Sequence, residues 1–166
     1  MSKEMKFVVF LDVDGVLNTR STCVQAPSGT YVGIDDARVF VLSHAMKMVY
    51  AEGVVLTSTW KNMREDNEDY IYLVKCLNKH GIKILGKTNE EHTSQRENGI
   101  LKYLESHSEI EEFVILDDQQ YGFADYRKLW ENFIDTQGKG IENGVAASRR
   151  PSVSAILFED AIKKYK

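Results

Sequence analysis

Two acidic residues at the end of an apolar run are the first sign of chemistry in this sequence. Asp12 and Asp14 come just after the uncharged run 7–11, and Gly15 then breaks the extended pattern. An apolar run of this length is typical of a strand buried on both faces of a parallel sheet. Carboxylates buried at the C-terminal end of such a strand cost folding free energy unless they bind a cation or take part in a reaction. We therefore expect Asp12 and Asp14 to be functional, at the sheet edge where α/β proteins bind ligands.

Polar residues also follow other apolar runs of the sequence. The further candidates are Thr57 and Ser58, Arg96 at the start of a helix, and Asp117 and Asp118. Taken singly, such residues are ordinary turn, strand-end or solvated helix residues. In a parallel sheet, however, these strand ends lie on one edge, so groups distant in sequence meet there. Two pairs of carboxylates at one edge repel each other, and a hard divalent cation such as Mg²⁺ would offset that repulsion.

The elements that would position these residues alternate between strand and helix. Apolar runs predict buried strands at 7–11, 54–56 and 113–116, and a further strand is predicted at 82–85. Periodic patterns predict helices at 34–52, 66–80, 94–107 and 153–165. Residues 129–136 could form a fifth, more exposed strand, or a helix. This alternation predicts right-handed crossovers and an α/β fold, with a mainly parallel central sheet between two layers of helices.

Three local signals refine this outline. Residues 19–33 combine β-prone stretches with a turn at 26–29, which predicts a short hairpin beside Asp12 and Asp14. Ser94 and Glu97 have the spacing of a capping box. The predicted core face of the first helix, which Asp35 or Asp36 can cap, is Phe40, Val41, His44, Met48 and Val49.

Composition limits the classes of protein that the chain can belong to. Its 166 residues fit one domain, 1–166, with enough apolar content for a core of its own. The net charge of −4 argues against electrostatic binding of nucleic acid by the whole surface, although a local basic patch is compatible with it. Cys23 and Cys76 are isolated, which argues against structural zinc. The run 7–11 is too short for a signal peptide or a membrane span, so we expect a cytoplasmic protein.

The segment 10–18, FLDVDGVLN, resembles the first motif of the haloacid dehalogenase (HAD) superfamily, which comprises aspartate-based phosphohydrolases with a Rossmann-like αβα fold. Thr57, a basic residue before a helix, and the acidic pair 117–118 follow in the order of the remaining motifs. Together with the segments TSTW at 57–60, RENGILKYL at 96–104 and FVILDD at 113–118, the first motif is similar to the HAD domain of "Swiss army knife" RNA repair proteins. Lys61 and Gln119 stand where that subfamily often has Arg and a third acid.

The resemblance implies a role for each acidic residue. Asp12 would be the nucleophile that attacks phosphorus and forms an aspartyl-phosphate. Asp14 would protonate the leaving oxygen and then deprotonate the attacking water. The Asp12 carboxylate, the Asp14 backbone carbonyl and Asp117 would hold Mg²⁺, with Asp118 as a direct or water-mediated ligand.

The resemblance also implies which residues bind phosphate and substrate. The Thr57 hydroxyl and the backbone amides of Val13 and Ser58 would bind phosphate oxygens, and Arg96 would stabilise the transferring phosphoryl group. Lys87 is the alternative to Arg96, because many relatives use Lys at this motif. The remaining predicted substrate-binding residues are Asn18, Trp60 and Lys61.

The gaps between the motifs are too short for a large cap domain, which predicts an open site suited to a bulky substrate such as a nucleic-acid end or a phosphoprotein. The resemblance favours a terminal phosphate on RNA or DNA. Aromatic and basic residues that could support a polynucleotide are Trp60, Lys61, Arg64, Tyr121, Phe123, Arg127, Arg149 and Arg150. Arg149 and Arg150 could equally form a solvated turn before Pro151. We expect a phosphorylated substrate, RNA repair partners and no membrane.

Three alternative functions stay open from the sequence. The first is a small-metabolite phosphatase whose 19–33 hairpin partly covers the site. The second is a receiver-like signalling module, although receivers place the acidic pair after their first strand and the phosphoacceptor later. The third is a non-catalytic HAD domain that binds nucleic acid, although the acids needed for catalysis are all present.

Overall fold

A six-stranded sheet forms the centre of the structure, a computed structural model that describes residues 6–164. Its strands are β1 (Lys6–Leu11), β2 (Gly53–Leu56), β3 (Ile84–Lys87), β4 (Ile110–Asp117), β5 (Phe133–Asp135) and β6 (Val145–Ala146). The order across the sheet is β3-β2-β1-β4-β5-β6. All neighbouring strands run parallel except β5 and β6, which are antiparallel.

Helices cover both faces of this sheet. They are α1 (Asp36–Met48), α2 (Glu68–Asn78), α3 (Arg96–Ser106), the short α4 (Arg127–Trp130) and α5 (Val153–Lys163). Side chains of β1 alternate between the two faces. Val9 and Leu11 belong to a core shared with α1, α2 and α5, whereas Val8 and Phe10 belong to a core shared with α3 and α4. The predicted three-layer αβα sandwich is confirmed, and within residues 6–164 no cap domain is inserted.

Two strands differ from their predicted positions. The third strand was expected at 82–85, but β3 lies two residues later, at the sheet edge, where it is only half-buried. An edge strand has one unpaired side, so its apolar residues need not be enclosed. The fifth segment, 129–136, contains the end of α4 and the strand β5, whose Phe133 and Ile134 are fully buried. The predicted fifth strand is therefore confirmed over 133–135, but the expectation that it would be more exposed was wrong, because β6 adds a further strand beyond it.

Residues 19–33 turn at 26–29 as predicted, and a single antiparallel bridge joins Gln25 to Val32, but neither arm extends into a strand, so the predicted hairpin is present only as this one bridge. Polar side chains attach this segment, the 19–33 loop, to the helices. The Thr22 hydroxyl donates to Asp35 at 2.7 Å before α1, and the Ser28 hydroxyl donates to Asp69 at 2.6 Å in α2. These tertiary contacts compete with the strand pairing that the β-prone residues favour.

The helix signals also need correction. On α1, Phe40 and Met48 are exposed, so the predicted core face was partly wrong; the helix instead buries a set that includes Val39, Leu42 and Ala45. Helix α3 begins at Arg96, after a 3₁₀ turn, with no side-chain cap, so the capping box was wrong. The Glu97 carboxylate accepts a hydrogen bond from the Gly122 amide at 3.3 Å instead.

In the part of the chain that the structure describes, no helix combines the length and the apolar character that crossing a membrane requires.

Candidate active site

The candidate site lies at the sheet edge where β1, β2 and β4 end. Leu11 of β1 is in register with Leu56 of β2 and Leu116 of β4. The residues that follow these three leucines therefore leave the sheet side by side; they are Asp12, Thr57 and Asp117. Backbone hydrogen bonds join the three strand ends. The Asp12 amide donates to the Leu116 carbonyl and the Thr57 amide donates to the Leu11 carbonyl, each at 3.0 Å.

Three carboxylates form an acidic cluster at this edge. Asp12, Asp117 and Asp118 each place one oxygen within 4.8 Å of the others. Asp117 is fully buried and Asp12 is buried, whereas Asp118 is partly exposed. The backbone amides of Asp118 and Gln119 donate to Asp117 Oδ1, at 2.8 and 3.1 Å. Asp12 of the first predicted pair thus meets both members of the second pair, as expected from the parallel strands.

Arg96 is the basic residue that contacts this acidic cluster. Its Nη1 atom lies 2.7 Å from Asp117 Oδ2 and 3.1 Å from Asp12 Oδ1. The guanidinium stacks on the ring of Tyr121, with the central carbon 4.6 Å from the ring centroid. The Lys87 ammonium donates instead to the Lys61 carbonyl, at 3.0 Å. Of the two basic candidates, Arg96 is therefore the one positioned to act on a group bound at Asp12.

The acidic cluster carries more negative charge than Arg96 balances. Burial, together with the charge of Asp117, raises the pKa of Asp12 well above its usual range, although Arg96 opposes the shift. Burial likewise raises the pKa of Asp117 to about 6, again against the effect of Arg96. Three carboxylates facing one guanidinium form an oxygen-rich site with excess negative charge, which is the donor set that a hard divalent metal ion prefers. The acidic cluster could therefore hold such an ion.

The Asp14 side chain stands apart from the acidic cluster and has its own support. Its two oxygens accept hydrogen bonds from Trp60 Nε1 at 3.1 Å and Asn18 Nδ2 at 3.0 Å. Asn18 also donates to the Gly33 carbonyl and accepts from the Gly15 amide, which links the loop after β1 to the 19–33 loop. Trp60 is fully buried, so its contact with Asp14 makes it a positioning residue.

Two buried polar atoms near the acidic cluster have no hydrogen-bond partner, namely Thr57 Oγ1 and Arg96 Nε. Buried polar groups in proteins are almost always paired, so an unpaired hydroxyl at a sheet edge points to a ligand. The next residue, Ser58, uses its hydroxyl to accept from the Trp60 amide at 3.2 Å. Val13, whose amide was predicted to bind phosphate, is buried in the loop after β1.

Gly15 allows the acidic cluster to assemble. Its φ of +85° lies in the left-handed region, and a Cβ atom there would stand 2.6 Å from Asp118 Oδ2. The Gly15 carbonyl accepts hydrogen bonds from the Thr136 hydroxyl at 2.8 Å and from the Gly140 amide at 3.1 Å. Sequence reasoning missed Thr136. The pattern that identified Thr57 could also have identified Thr136, because each residue places a hydroxyl directly after a buried strand.

Lys61 forms a second buried ion pair, with Glu90 rather than with the acidic cluster. Its ammonium donates to both oxygens of Glu90 at 2.6 Å and to the Thr88 hydroxyl at 2.8 Å. The Lys61 and Glu90 side chains are only 5% and 3% exposed. Burial lowers the pKa of Lys61, and Glu90 counteracts the shift. Sequence reasoning proposed Lys61 as a substrate residue and missed Glu90, because nothing in the spacing links the two.

A cleft of about 760 Å³ opens beside the acidic cluster. Asp14 and Asp118 line it, together with residues of the 19–33 loop and residues 137–139. Two exposed cations, Arg20 and Lys139, line it. A substrate in this cleft would reach the edge of the site from solvent.

The other aromatic and basic candidates lie in different places. Phe123 is fully buried, and Arg64 is exposed and paired with Asp66 at 3.2 Å. Arg127, Arg149 and Arg150 line a separate cleft.

Comparison with known protein families shows which family the chain belongs to. A family model described as "HAD domain in Swiss Army Knife RNA repair proteins" matches residues 8–144. A comparison with curated proteins finds no match. The matched segment runs from β1 to the residue before β6 and includes every residue of the site described above.

Proposed function

Because the chain belongs to the family of HAD domains found in Swiss Army Knife RNA repair proteins, we propose that it is a Mg²⁺-dependent phosphatase that removes a phosphate from an RNA or DNA end. The observation that carries the proposal is the assembly of Asp12, Arg96 and the pair 117–118 at one sheet edge, beside an unpaired Thr57 hydroxyl. In that role the protein would work in the cytoplasm beside other RNA repair proteins.

The proposed reaction has two steps at phosphorus. A carboxylate oxygen of Asp12 forms a bond to phosphorus while the bond to the leaving oxygen breaks, and Asp14 gives its proton to that oxygen. In the second step Asp14 takes a proton from water, whose oxygen attacks phosphorus. The bond between Asp12 and phosphorus breaks, and inorganic phosphate leaves. Trp60 and Asn18 keep the Asp14 carboxylate oriented throughout, because each donates to one of its oxygens.

The residues of the acidic cluster fit a bound Mg²⁺. The carboxylates of Asp12, Asp117 and Asp118, with the backbone carbonyl of Asp14, would hold it. When bound, Mg²⁺ supplies positive charge that offsets the repulsion between the Asp12 carboxylate and a phosphate.

The protein's own donors would hold the phosphoryl group. The Thr57 hydroxyl is buried and unpaired, so it can donate to a phosphate oxygen without breaking another hydrogen bond. Arg96 already contacts Asp12, which places its positive charge beside the position of the reacting phosphorus. The amides of Val13 and Ser58 would complete the set. Lys61 is engaged with Glu90, so it would support this site through the backbone rather than contact the substrate.

The open cleft suits a strand end better than an enclosed metabolite. Within residues 6–164 no cap domain is inserted, and the cleft that reaches Asp14 and Asp118 is open to solvent, so a long substrate could extend beyond it. Arg20 and Lys139 can neutralise phosphates that flank the scissile one. A small-metabolite phosphatase is the second candidate, because a volume of about 760 Å³ falls in the range of small-molecule sites.

Phosphate release from a panel of substrates tests the proposal. The panel contains RNA and DNA oligomers with a 3′- or a 5′-phosphate, nucleotides and sugar phosphates, each with Mg²⁺ or with EDTA. We expect Mg²⁺-dependent release from one class of oligomer end, abolished by Asp12→Asn and retained in Asp66→Asn, a matched change at an exposed carboxylate. Turnover of small metabolites alone would favour the second candidate. Oligomer binding without any turnover would overturn the enzymatic proposal.

A further inference from the structure

A second cleft carries positive charge that the proposed reaction does not use. It has a volume of about 590 Å³, and Arg127, Trp130, Glu131, Arg149 and Arg150 line it with Ala147 and Ser148. Arg127 begins α4, whereas Arg149 and Arg150 follow β6, so the fold brings together cations from two separate segments. None of these residues lines the cleft beside Asp14, which makes this arginine cleft a separate surface.

The arginines of this cleft are poorly neutralised. Arg127 is 93% exposed and its Nε atom is 3.6 Å from Glu131, which is a weak surface pair. Among residues 6–164, Arg149 and Arg150 have no ion-pair partner. The whole chain carries a net charge of −4, whereas three arginines beside one glutamate make this cleft locally positive. Such a patch attracts an anion that can span several guanidinium groups.

Trp130 indicates which kind of anion would bind in this cleft. Its indole lines the arginine cleft and is partly exposed, while its inner contact is the buried Phe133 ring, with centroids 5.9 Å apart. An aromatic ring that lies among guanidinium groups suits a ligand that presents both phosphates and planar bases. An anionic lipid headgroup or a phosphorylated peptide offers the phosphate without a base to stack.

We propose that the arginine cleft binds single-stranded nucleic acid, with Arg127, Arg149 and Arg150 on phosphates and the Trp130 indole on a base. This binding requires no turnover and stands apart from the phosphatase reaction. If both hold, the cleft anchors the body of a strand on the β6 side of the sheet, while a strand end is processed at the acidic cluster.

Fluorescence polarisation with unphosphorylated oligomers tests the binding without involving catalysis. Labelled single-stranded RNA and DNA of about 12 nucleotides, within the usual site sizes, are titrated with wild-type protein in EDTA. We expect Arg149→Ala/Arg150→Ala to weaken binding about tenfold and to make the salt dependence of log K shallower by about 1.4, or roughly 0.7 for each phosphate contact. The charge-matched control Lys75→Ala/Lys83→Ala, at exposed lysines elsewhere, should keep the wild-type affinity. Both double variants should hydrolyse an aryl phosphate as the wild type does.

Tryptophan fluorescence provides a direct readout of the cleft. The chain has two tryptophans, and Trp60 is fully buried. Bound oligomer should therefore quench Trp130, and Trp130→Phe should remove the quenching while keeping most of the affinity, since phenylalanine still stacks. Trp130→Leu should weaken binding about tenfold.

The proposal is overturned if Arg149→Ala/Arg150→Ala binds like the wild type, if the control variant loses as much affinity, or if quenching persists in Trp130→Phe. It is also overturned if phosphatidylserine vesicles bind in an arginine-dependent way and oligomers do not.

Discussion

Two buried ion networks at the same end of the sheet have opposite electrostatic character. In the first, Lys61 faces Glu90, and a Thr88 hydroxyl completes the set. In the second, Arg96 faces the acidic cluster of Asp12, Asp117 and Asp118. Both cations are almost fully buried, at 5% and 4% side-chain exposure. The two cations are therefore buried to the same degree, and the charge balance around them is what differs.

Charge balance separates a structural network from a functional one. One ammonium and one carboxylate satisfy each other, so the Lys61–Glu90 pair needs nothing else. One guanidinium cannot neutralise three carboxylates, and the pKa values of Asp12 and Asp117 rise as a result of burial and mutual repulsion. Perturbed pKa values in a cleft are typical of sites that bind or react. The same chemical groups thus stabilise the fold in one place and create a site in the other.

The largest expected effect is the loss of activity in Asp12→Asn. The amide cannot form the aspartyl-phosphate, so kcat for an aryl phosphate should fall by at least about 10⁴-fold, as when other catalytic nucleophiles are removed. Because the substitution also removes a repelling buried carboxylate, the metal-free protein should melt no lower than the wild type. Steady-state kinetics and thermal melting in EDTA measure the two results. A drop of several degrees in Tm would show that Asp12 is part of a balanced structural network after all.

Lys61→Met should have the opposite effects, a large loss of stability and a small loss of activity. It leaves the Glu90 carboxylate buried and unpaired, which should cost about 3–5 kcal/mol of unfolding free energy and lower the Tm by roughly 6–20 °C. At a temperature where the variant is folded, its kcat should stay within about tenfold of the wild type, a far smaller loss than in Asp12→Asn.

The double variant Lys61→Met/Glu90→Leu is the control for charge. It removes both charges together, so most of the lost stability should return. Urea unfolding of the single and double variants measures the coupling. Equal stability of the two variants would contradict a mutually neutralising pair.

Arg96→Met tests the cation of the unbalanced network. Removing a charge that stabilises the transferring phosphoryl group should lower kcat by about 10²–10³-fold. Arg96→Lys should retain more activity but not all of it, because an ammonium lacks the planar stack on Tyr121. Lys87→Met is the matched control, since Lys87 was the alternative basic residue and its ammonium lies on the Lys61 carbonyl. A larger loss of kcat in Lys87→Met than in Arg96→Met would show that Lys87, not Arg96, is the basic residue of the motif.

The sequence predicts the unbalanced network better than the balanced one. Asp12, Thr57 and Asp117 each follow an apolar strand, and parallel strands must end together, so their meeting follows from topology. Nothing comparable connects Lys61 with Glu90, which lies 29 residues away after an edge strand. Trp60 is a similar case. Its type suggests stacking on a base, whereas its burial and its contact with Asp14 emerge only from the packing of the loop after β2.

The same limit explains the errors in the fold prediction. Apolar runs identified β1, β2 and β4, because strands buried on both faces are almost uniformly apolar. The 19–33 loop lacks such a pattern, and side-chain hydrogen bonds to Asp35 and Asp69 decide its path. Contacts between residues distant in sequence override local β-propensity here.

The smallest expected effect is on thermal stability, through the metal. If the acidic cluster holds Mg²⁺, saturating Mg²⁺ should stabilise the wild type by about 2–3 kcal/mol at a hundredfold excess over Kd, and raise the Tm by roughly 4–12 °C. The gain should be lost in Asp117→Asn and kept in Lys61→Met, which separates the two networks again. Differential scanning fluorimetry with Mg²⁺ and with EDTA measures it.

The pH dependence of this stabilisation has a definite sign. Burial raises the pKa of Asp117 to about 6, above its unfolded value of about 3.9. The folded metal-free protein therefore holds this proton more tightly than the unfolded chain, so this group's destabilising effect develops as pH rises from about 4 and is complete above about 6. Mg²⁺ competes with the same proton, so the Tm gain from Mg²⁺ should grow between about pH 5 and pH 7. A gain that is the same at both pH values would show that the metal binds away from Asp117.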